Sequence, residues 1–142
     1  MRVLGVDVGR RRIGLAISDP SATLARPLET LSMSDATTRR AVDQVVAAVT
    51  RLSAEEDGLD TIVVGLPVRL DGSATDETPR VAAFIDALKQ RTMIPIVTGD
   101  ERLTSKEAES RLAVHERDWR KRKADLDAAA AAIILQDYLD QR

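Results

Sequence analysis

One acidic residue inside the first apolar segment constrains this chain most. Asp7 interrupts the run Val3–Val8, whose apolar and β-branched residues are typical of a buried strand. Burying a carboxylate in a sheet is unfavourable by several kcal/mol unless a cation compensates its charge. Gly9 and Gly14 permit a tight turn, so Ile13–Ser18 can return as a second strand. The segment predicts a hairpin whose acid is compensated either by a divalent cation or by an adjacent arginine.

Length and composition limit the class of protein. A chain of 142 residues that is 44 % hydrophobic predicts one domain, residues 1–142, with an aliphatic core. The net charge of −2 argues against non-specific coating of nucleic acid but allows a local basic face. No apolar stretch is long enough to span a membrane, and the N-terminus lacks a signal-peptide core. We therefore expect a cytoplasmic protein that has no membrane partner.

The side chains that are missing narrow the possible chemistry. The chain has no cysteine, which excludes disulfides, thiolate zinc sites and a cysteine nucleophile. Its one histidine, His115, excludes a multi-histidine metal site and is expected to be a bystander at a helix end. Any metal must then be bound by oxygen ligands, which favours Mg²⁺ or Mn²⁺.

The hydrophobic pattern predicts an α/β fold. Three strands in an antiparallel meander are followed by helix, strand, helix, strand and two helices, which favours one mixed sheet with helices on both faces. Pro27 suits an edge strand because proline cannot donate to a sheet ladder. The predicted strands are Val3–Val8, Ile13–Ser18, Leu24–Leu31, Thr61–Gly65 and Ile94–Thr98. The predicted helices are Asp35–Leu52 with Ser34 or Asp35 as its cap, Pro79–Arg91, Thr104–Val114, and one from Asp125 or Leu126 to Leu139.

Acidic residues occur at three places that this topology can bring together. Asp7 lies on the first strand, Asp100 and Glu101 follow the last strand, and Asp125 and Asp127 lie in the first turn of the final helix. Ligands of open α/β sheets collect at the carboxyl ends of the strands, and the alanine-rich final helix can approach the sheet closely. Converging carboxylates repel one another, and two Mg²⁺ ions about 4 Å apart would relieve that repulsion and bind a phosphodiester.

Each acid also has an ordinary structural explanation. Asp125 and Asp127 can cap the final helix and interact with its dipole. Asp100 can be a loop residue, and Glu101 can form a surface ion pair with Arg102. The metal interpretation depends on finding all three places in one topology, in a chain without rival catalytic residues.

Basic residues form two clusters that are candidates for binding substrate. One is the triplet after Gly9, and the other is the segment 117–123, which contains Trp119. A tryptophan in a basic loop can stack on an unpaired base while the cations contact phosphates; alternatively, Trp119 packs on the core and the charges are solvated. The candidate substrate-binding residues are Arg10, Arg11, Arg12, Arg102, Trp119, Arg120 and Arg122.

Six motifs, in order and nearly from end to end, resemble the YqgF/RuvX family, which is described as Holliday-junction resolvases of ribonuclease H-like fold. The resemblance implies a five-stranded mixed sheet, three antiparallel strands and then two parallel ones, flanked by helices. By position it implies that Asp7, Glu101 and Asp127 are the catalytic, metal-binding acids. Asp125 has no counterpart in the family pattern and is kept as a reserve ligand. The motifs are Asp7-Val8-Gly9, Arg12-Ile13-Gly14, Val64-Gly65-Leu66-Pro67, Asp71-Gly72, Asp100-Glu101-Arg102-Leu103-Thr104, and Asp127 leading into Ile133-Ile134-Leu135.

The same resemblance implies a nuclease that uses Mg²⁺ or Mn²⁺ on structured nucleic acid. Members of the family are associated with trimming ribosomal RNA precursors, including the ends of pre-16S RNA, and some with cutting branched or single-stranded DNA. Two alternatives stay open: a non-catalytic nucleic-acid-binding factor in ribosome assembly, and an ATP-binding domain of the actin and sugar-kinase type. The chain is expected to be a monomer or a homodimer, and symmetric resolution of a four-way junction would need the dimer.

Overall fold

A five-stranded mixed sheet forms the centre of the molecule. The computed structural model describes residues 1–33, 37–69, 71–100 and 126–142. The strand order across the sheet is β3-β2-β1-β4-β5. The strands are β1 (Arg2–Val8), β2 (Arg12–Ser18), β3 (Ala25–Ser32), β4 (Leu59–Leu66) and β5 (Ile96–Asp100). The helices in the described parts of the chain are α1 (Thr38–Ser53), α2 (Thr78–Lys89) and α3 (Leu126–Gln141).

Strand β1 is the central strand and pairs on both sides. It runs antiparallel to β2 and parallel to β4. Strand β3 continues the antiparallel meander at one edge, and β5 lies parallel to β4 at the other. Pro27 lies on β3 beside a shift in its register with β2, which fits the edge position expected of a strand proline. The predicted sheet, three antiparallel strands followed by two parallel ones, is confirmed.

Alternation along β1 separates two hydrophobic layers. Leu4, Val6 and Val8 belong to the larger core, which also contains the buried faces of α1 and α2. Val3 belongs to the second core, which contains the buried face of α3. Because successive side chains of a strand point to opposite faces, Asp7 lies on the face that α3 covers.

Helix α3 packs unusually close to the sheet. A Cβ atom added to Gly5 would lie 2.8 Å from Leu135 Cβ, and one added to Gly99 would lie 3.0 Å from Ile134 Cγ2. Glycine on the sheet and alanine on the helix together remove the side chains that would hold the two apart. The close approach predicted for this helix is therefore observed. Its residues against the sheet, each at most 1 % exposed, are Ala128, Ala131, Ala132 and Leu135.

The first helix begins later than predicted. Thr37 has an extended backbone, with φ −85° and ψ 149°, and its Oγ1 accepts a hydrogen bond from the Arg40 amide at 3.1 Å. Thr37 is therefore the cap, and the prediction of Ser34 or Asp35 was wrong. Several residues in this region have side chains that can cap a helix, so the local pattern alone did not distinguish among them.

All five strands differ from their predicted bounds by one or two residues, with the two-residue shifts in β4 and β5. Strand β4 is longer than predicted because its pairing with β1 begins at Leu59. Strand β5 begins at Ile96, after Pro95, whose carbonyl accepts a hydrogen bond from Ile62 at 2.9 Å. Proline has no amide hydrogen to donate to the ladder, so regular pairing begins one residue later.

Two further helices differ from their predicted bounds. Helix α2 ends at Lys89 rather than Arg91, and α3 continues to Gln141 rather than Leu139. The predicted helix Thr104–Val114 lies outside the described residues. No helix in the described ranges combines the length and apolar character needed to cross a bilayer.

Candidate active site

The structure brings two of the predicted acids to one face of the sheet. Asp7 is opposite Gly14 in the antiparallel ladder between β1 and β2. Opposed residues project to the same face with Cβ atoms about 5 Å apart. The main chain of Asp127 lies directly on Gly14, since a Cβ atom added there would be 1.9 Å from the Asp127 carbonyl oxygen. The first turn of α3 is therefore placed beside the Asp7 side chain.

An arginine of the hairpin contacts the acid of α3. Arg12 Nε lies 3.2 Å from Asp127 Oδ2. The Arg12 side chain is 63 % exposed and that of Asp127 is 36 % exposed, so solvent and ligands can reach both. Asp7 is partly buried.

The turn that carries the arginine triplet is tight. The Gly9 amide donates to the Arg12 carbonyl at 2.9 Å, and a Cβ atom on Gly9 would lie 2.6 Å from that oxygen. The Arg11 carbonyl accepts a hydrogen bond from the Met33 amide at 2.9 Å, and the Arg11 side chain is exposed. The triplet thus projects from a restrained turn immediately after Asp7.

Glu77, at the start of α2, binds two arginines. Its Oε2 accepts a hydrogen bond from Arg80 Nε at 2.7 Å, and its Oε1 accepts one from Arg10 Nε at 2.9 Å. The hydrogen bonds from Arg80 and then Arg10 lower the pKa of the Glu77 carboxyl below its usual range. Arg10, a predicted substrate-binding residue, is thereby tied to α2 while its side chain stays 76 % exposed.

Arg80 links α2 to the end of β1, which the sequence analysis did not predict. Its Nη2 donates to the Val8 carbonyl at 3.2 Å and its Nη1 to the Gly9 carbonyl at 3.3 Å. The spacing of Glu77 and Arg80 around Pro79 indicates a local ion pair in a first helical turn. That spacing does not predict that Arg80 also contacts main-chain carbonyls about seventy positions earlier in the chain.

The donor atoms at this face suit a hard divalent cation. Asp7 and Asp127 offer carboxylate oxygens, the ligands that Mg²⁺ and Mn²⁺ prefer. Among the described residues there is no group of three His, Asp or Glu side chains that could hold a metal ion. The main chain of β5 ends at Asp100, opposite Leu66 of β4. The predicted site residues outside the described ranges are Glu101, Arg102, Trp119, Arg120, Arg122 and Asp125.

Comparison with known proteins identifies the family. The profile of the RuvX family, described as Holliday junction resolvase, matches residues 1–141. The chain belongs to the RuvX family. This confirms the family to which the sequence motifs pointed.

Relatives of this RuvX-family protein match over almost their whole length. One from Desulforudis audaxviator is 35 % identical over 142 residues, covering 100 % of this chain and 96 % of the relative. One from Chloroflexus aurantiacus is 42 % identical over 140 residues, covering 99 % and 87 %. One from Anaeromyxobacter sp. (strain Fw109-5) is 43 % identical over 142 residues, covering 100 % and 98 %. All three carry the name "Putative pre-16S rRNA nuclease".

Solved structures show the fold of this RuvX-family chain. Thermus thermophilus RuvC in complex with Holliday junction substrate superimposes with a TM-score of 0.61 at 16 % identity, covering 99 % of this chain and 96 % of RuvC. A fowlpox virus resolvase with Holliday junction DNA gives 0.56 at 14 % identity, covering 99 % and 98 %. The predicted ribonuclease H-like fold is confirmed.

Proposed function

We propose that this protein is a divalent-metal-dependent nuclease that hydrolyses phosphodiester bonds in structured nucleic acid. The observation that carries the proposal is the placement of Asp127 on Gly14, opposite Asp7, in a chain of the RuvX family. Two acids from opposite ends of the chain thus share one face beside the exposed arginine triplet. Membership of a family described as a resolvase, with relatives named as nucleases, supports hydrolysis over nucleotide binding or a purely structural role.

The residues divide between holding metal and holding substrate. Asp7, Asp127 and Glu101 would bind Mg²⁺ or Mn²⁺, which supplies an activated water and neutralises charge on the phosphate. Asp7 lies in the ladder with β2, opposite Gly14, so its main chain is held in place there. The candidates to contact phosphate and bases are Arg10, Arg11, Arg12, Arg102, Trp119, Arg120 and Arg122.

Arg12 has two partners in this proposal. Without substrate it neutralises Asp127, which reduces the repulsion between the two acids of the site. Because both side chains are exposed, the pair is weak, worth roughly 0.2–1 kcal/mol. A substrate phosphate can therefore attract Arg12 away, which frees Asp127 for metal.

A ribosomal RNA precursor is the substrate that the curated relatives favour. Their name specifies pre-16S rRNA, and the match includes at least 87 % of the length of each of them. A branched DNA junction is the second candidate, because it is the substrate named in the family description. Action on a ribosomal RNA precursor would take place in the cytoplasm, by a monomer or a homodimer, whereas symmetric junction cleavage would require the homodimer.

The test is a cleavage panel with labelled pre-16S RNA, single-stranded DNA and a four-way junction, each with Mg²⁺, Mn²⁺ or EDTA. We expect cleavage with either metal and none in EDTA. Asp7→Asn should reduce the rate by about 100-fold or more while the melting temperature is maintained, because it removes a charged metal ligand.

Asp60→Asn is the matched control, because Asp60 is an exposed strand acid near the start of β4, away from the carboxyl ends of the strands. It should cleave at the wild-type rate. Equal cleavage by Asp7→Asn and wild type would overturn the assignment. Metal-independent binding without cleavage on every substrate would favour the non-catalytic assembly factor instead.

A further inference from the structure

Arg80 contacts the main chain immediately after the proposed metal ligand of β1. Its two terminal nitrogens donate to the carbonyls of Val8 and Gly9, at 3.2 and 3.3 Å. These are the first two residues after Asp7. A guanidinium presents several donors in one rigid plane, so a single side chain can restrain two successive peptide groups.

The contact lies where the parallel ladder between β1 and β4 has ended. The register between β1 and β4 ends at Val6 opposite Val64, two residues before Val8. Beyond that point the β4 side of the strand lacks the regular ladder that fixes the earlier residues. Arg80, from α2, restrains the main chain there in place of a strand neighbour.

Glu77 sets the orientation of Arg80 and joins it to the turn. One carboxylate oxygen contacts Arg80 Nη2 at 2.6 Å and Nε at 2.7 Å, and the other oxygen accepts from Arg10. The same end of α2 is tied to the end of β4, because Thr78 Oγ1 donates to the Pro67 carbonyl. The end of β1, its following turn and the end of β4 are thus all connected to the first turn of α2.

We propose that Arg80, oriented by Glu77, is a positioning residue that holds the end of β1 so that Asp7 keeps its catalytic geometry. This inference rests on the proposed nuclease function. Arg80 does not need to touch substrate, because it acts on the main chain that follows Asp7. Displacing a reacting group by about 1 Å can slow an enzyme roughly 100-fold. The loss of Arg80 should therefore affect turnover far more than stability or substrate binding.

The kinetic test compares Arg80→Gln and Arg80→Lys with a matched control, Arg91→Gln. Arg91 also forms an exposed ion pair, with Nη1 2.8 Å from Asp43 Oδ1 of α1, but it lies just beyond the other end of α2. We expect Arg80→Gln to lower kcat about 10-fold or more, with KM within about twofold of wild type. Arg80→Lys should recover part of kcat, because its ammonium retains the charge but cannot bridge both carbonyls and Glu77. Arg91→Gln should match wild type.

A second readout does not depend on cleavage. Hydrogen exchange of the amides of residues 9–12 should be faster in Arg80→Gln than in wild type and unchanged in Arg91→Gln. Unchanged exchange, a wild-type kcat, or a defect confined to KM would each overturn the proposal, the last by indicating direct contact with substrate. If wild type cleaves nothing, the nuclease assignment fails, and the exchange measurement still decides whether Arg80 holds the turn.

Discussion

The carbonyl oxygen of Asp127 occupies the space in which a side chain on Gly14 would begin, 1.9 Å from the position of its Cβ atom. Gly14 is also the ladder partner of Asp7. One residue without a side chain thus determines how closely the two acids approach. The contact involves backbone atoms of α3, which cannot rotate away as a flexible side chain could.

Gly14→Ala should therefore displace the start of α3. We expect a loss of about 1–3 kcal/mol or more in the free energy of unfolding, measured by urea denaturation, because the helix must move to admit the methyl group. The cleavage rate should also fall under conditions in which the variant is fully folded, since Asp127 moves with the helix. The graded control is Gly99→Ala, whose methyl would lie 3.0 Å from Ile134 Cγ2, a side-chain atom that can adjust. Equal destabilisation by the two substitutions would contradict this explanation.

Arg12→Gln should weaken nucleic-acid binding without unfolding the protein. Arg12 is well exposed, and its ion pair with Asp127 is weak, so its removal should cost little stability while deleting the phosphate contact proposed for it. In EDTA, where cleavage is absent, the logarithmic slope of affinity against salt concentration should decrease by about one. Arg26→Gln is the control, because Arg26 lies at the opposite end of the ladder between β2 and β3. A salt slope identical to that of wild type would exclude Arg12 from the interface.

Gln136→Leu should be among the more destabilising substitutions in α3. The Gln136 side chain is 2 % exposed, accepts from the Ala25 amide at 2.8 Å, and donates to the Thr23 carbonyl at 3.0 Å. Leucine leaves both main-chain groups unpaired, at a cost of about 1–3 kcal/mol in the free energy of unfolding. Gln141→Leu is the control on the same helix, because Gln141 is exposed and bonds only to Asp137 in the described structure. Equal effects of the two changes would show that the attachment of α3 to β3 is unimportant.

Asp19 should make the free energy of unfolding decrease at acid pH. Burial acts to raise the pKa of its carboxyl, but hydrogen bonds from the Leu24 amide, Ser21 and Thr23 outweigh it, so the pKa lies well below the usual range. Because the folded-state pKa is depressed, this stabilisation is complete above the unfolded pKa of about 3.9 and is lost as pH falls toward the folded value.

The corresponding measurement is the melting temperature of wild type and Asp19→Asn from pH 7 to pH 2. The difference between the two should be largest near neutrality and should shrink below about pH 4. Asp57→Asn, in the exposed loop before β4, serves as the control. A difference for Asp19→Asn that stays constant across this range would contradict the assignment.

Local sequence patterns predicted the structure correctly where a single physical rule determines the placement of an element. The apolar, β-branched run of β1, the edge preference of Pro27 and the alanine-rich face of α3 each predicted the observed placement. The same patterns predicted that Asp7 and Asp127 come together on one face of the sheet. They could do so because helix–sheet packing is set by side-chain size, which is visible in the sequence.

Other features depend on atoms that are far apart in the chain. The contacts of Arg80 with Val8 and Gly9 join segments that no periodic pattern relates. The choice of Thr37 as the cap depended on backbone angles rather than on residue type alone. The predicted roles of Glu101, Arg102 and the segment around Trp119 remain predictions, because these residues lie outside the described ranges.

The docking of α3 on the sheet also has a consequence for synthesis. Asp7 is made among the first residues, whereas Asp127 arrives only with the helix that closes the second layer. A nascent chain that has already paired its five strands still lacks Asp127, one of the three acids of the proposed metal site. Under the proposed function, a chain terminated before α3 would therefore be inactive, and only a chain whose last helix has docked would be a working enzyme.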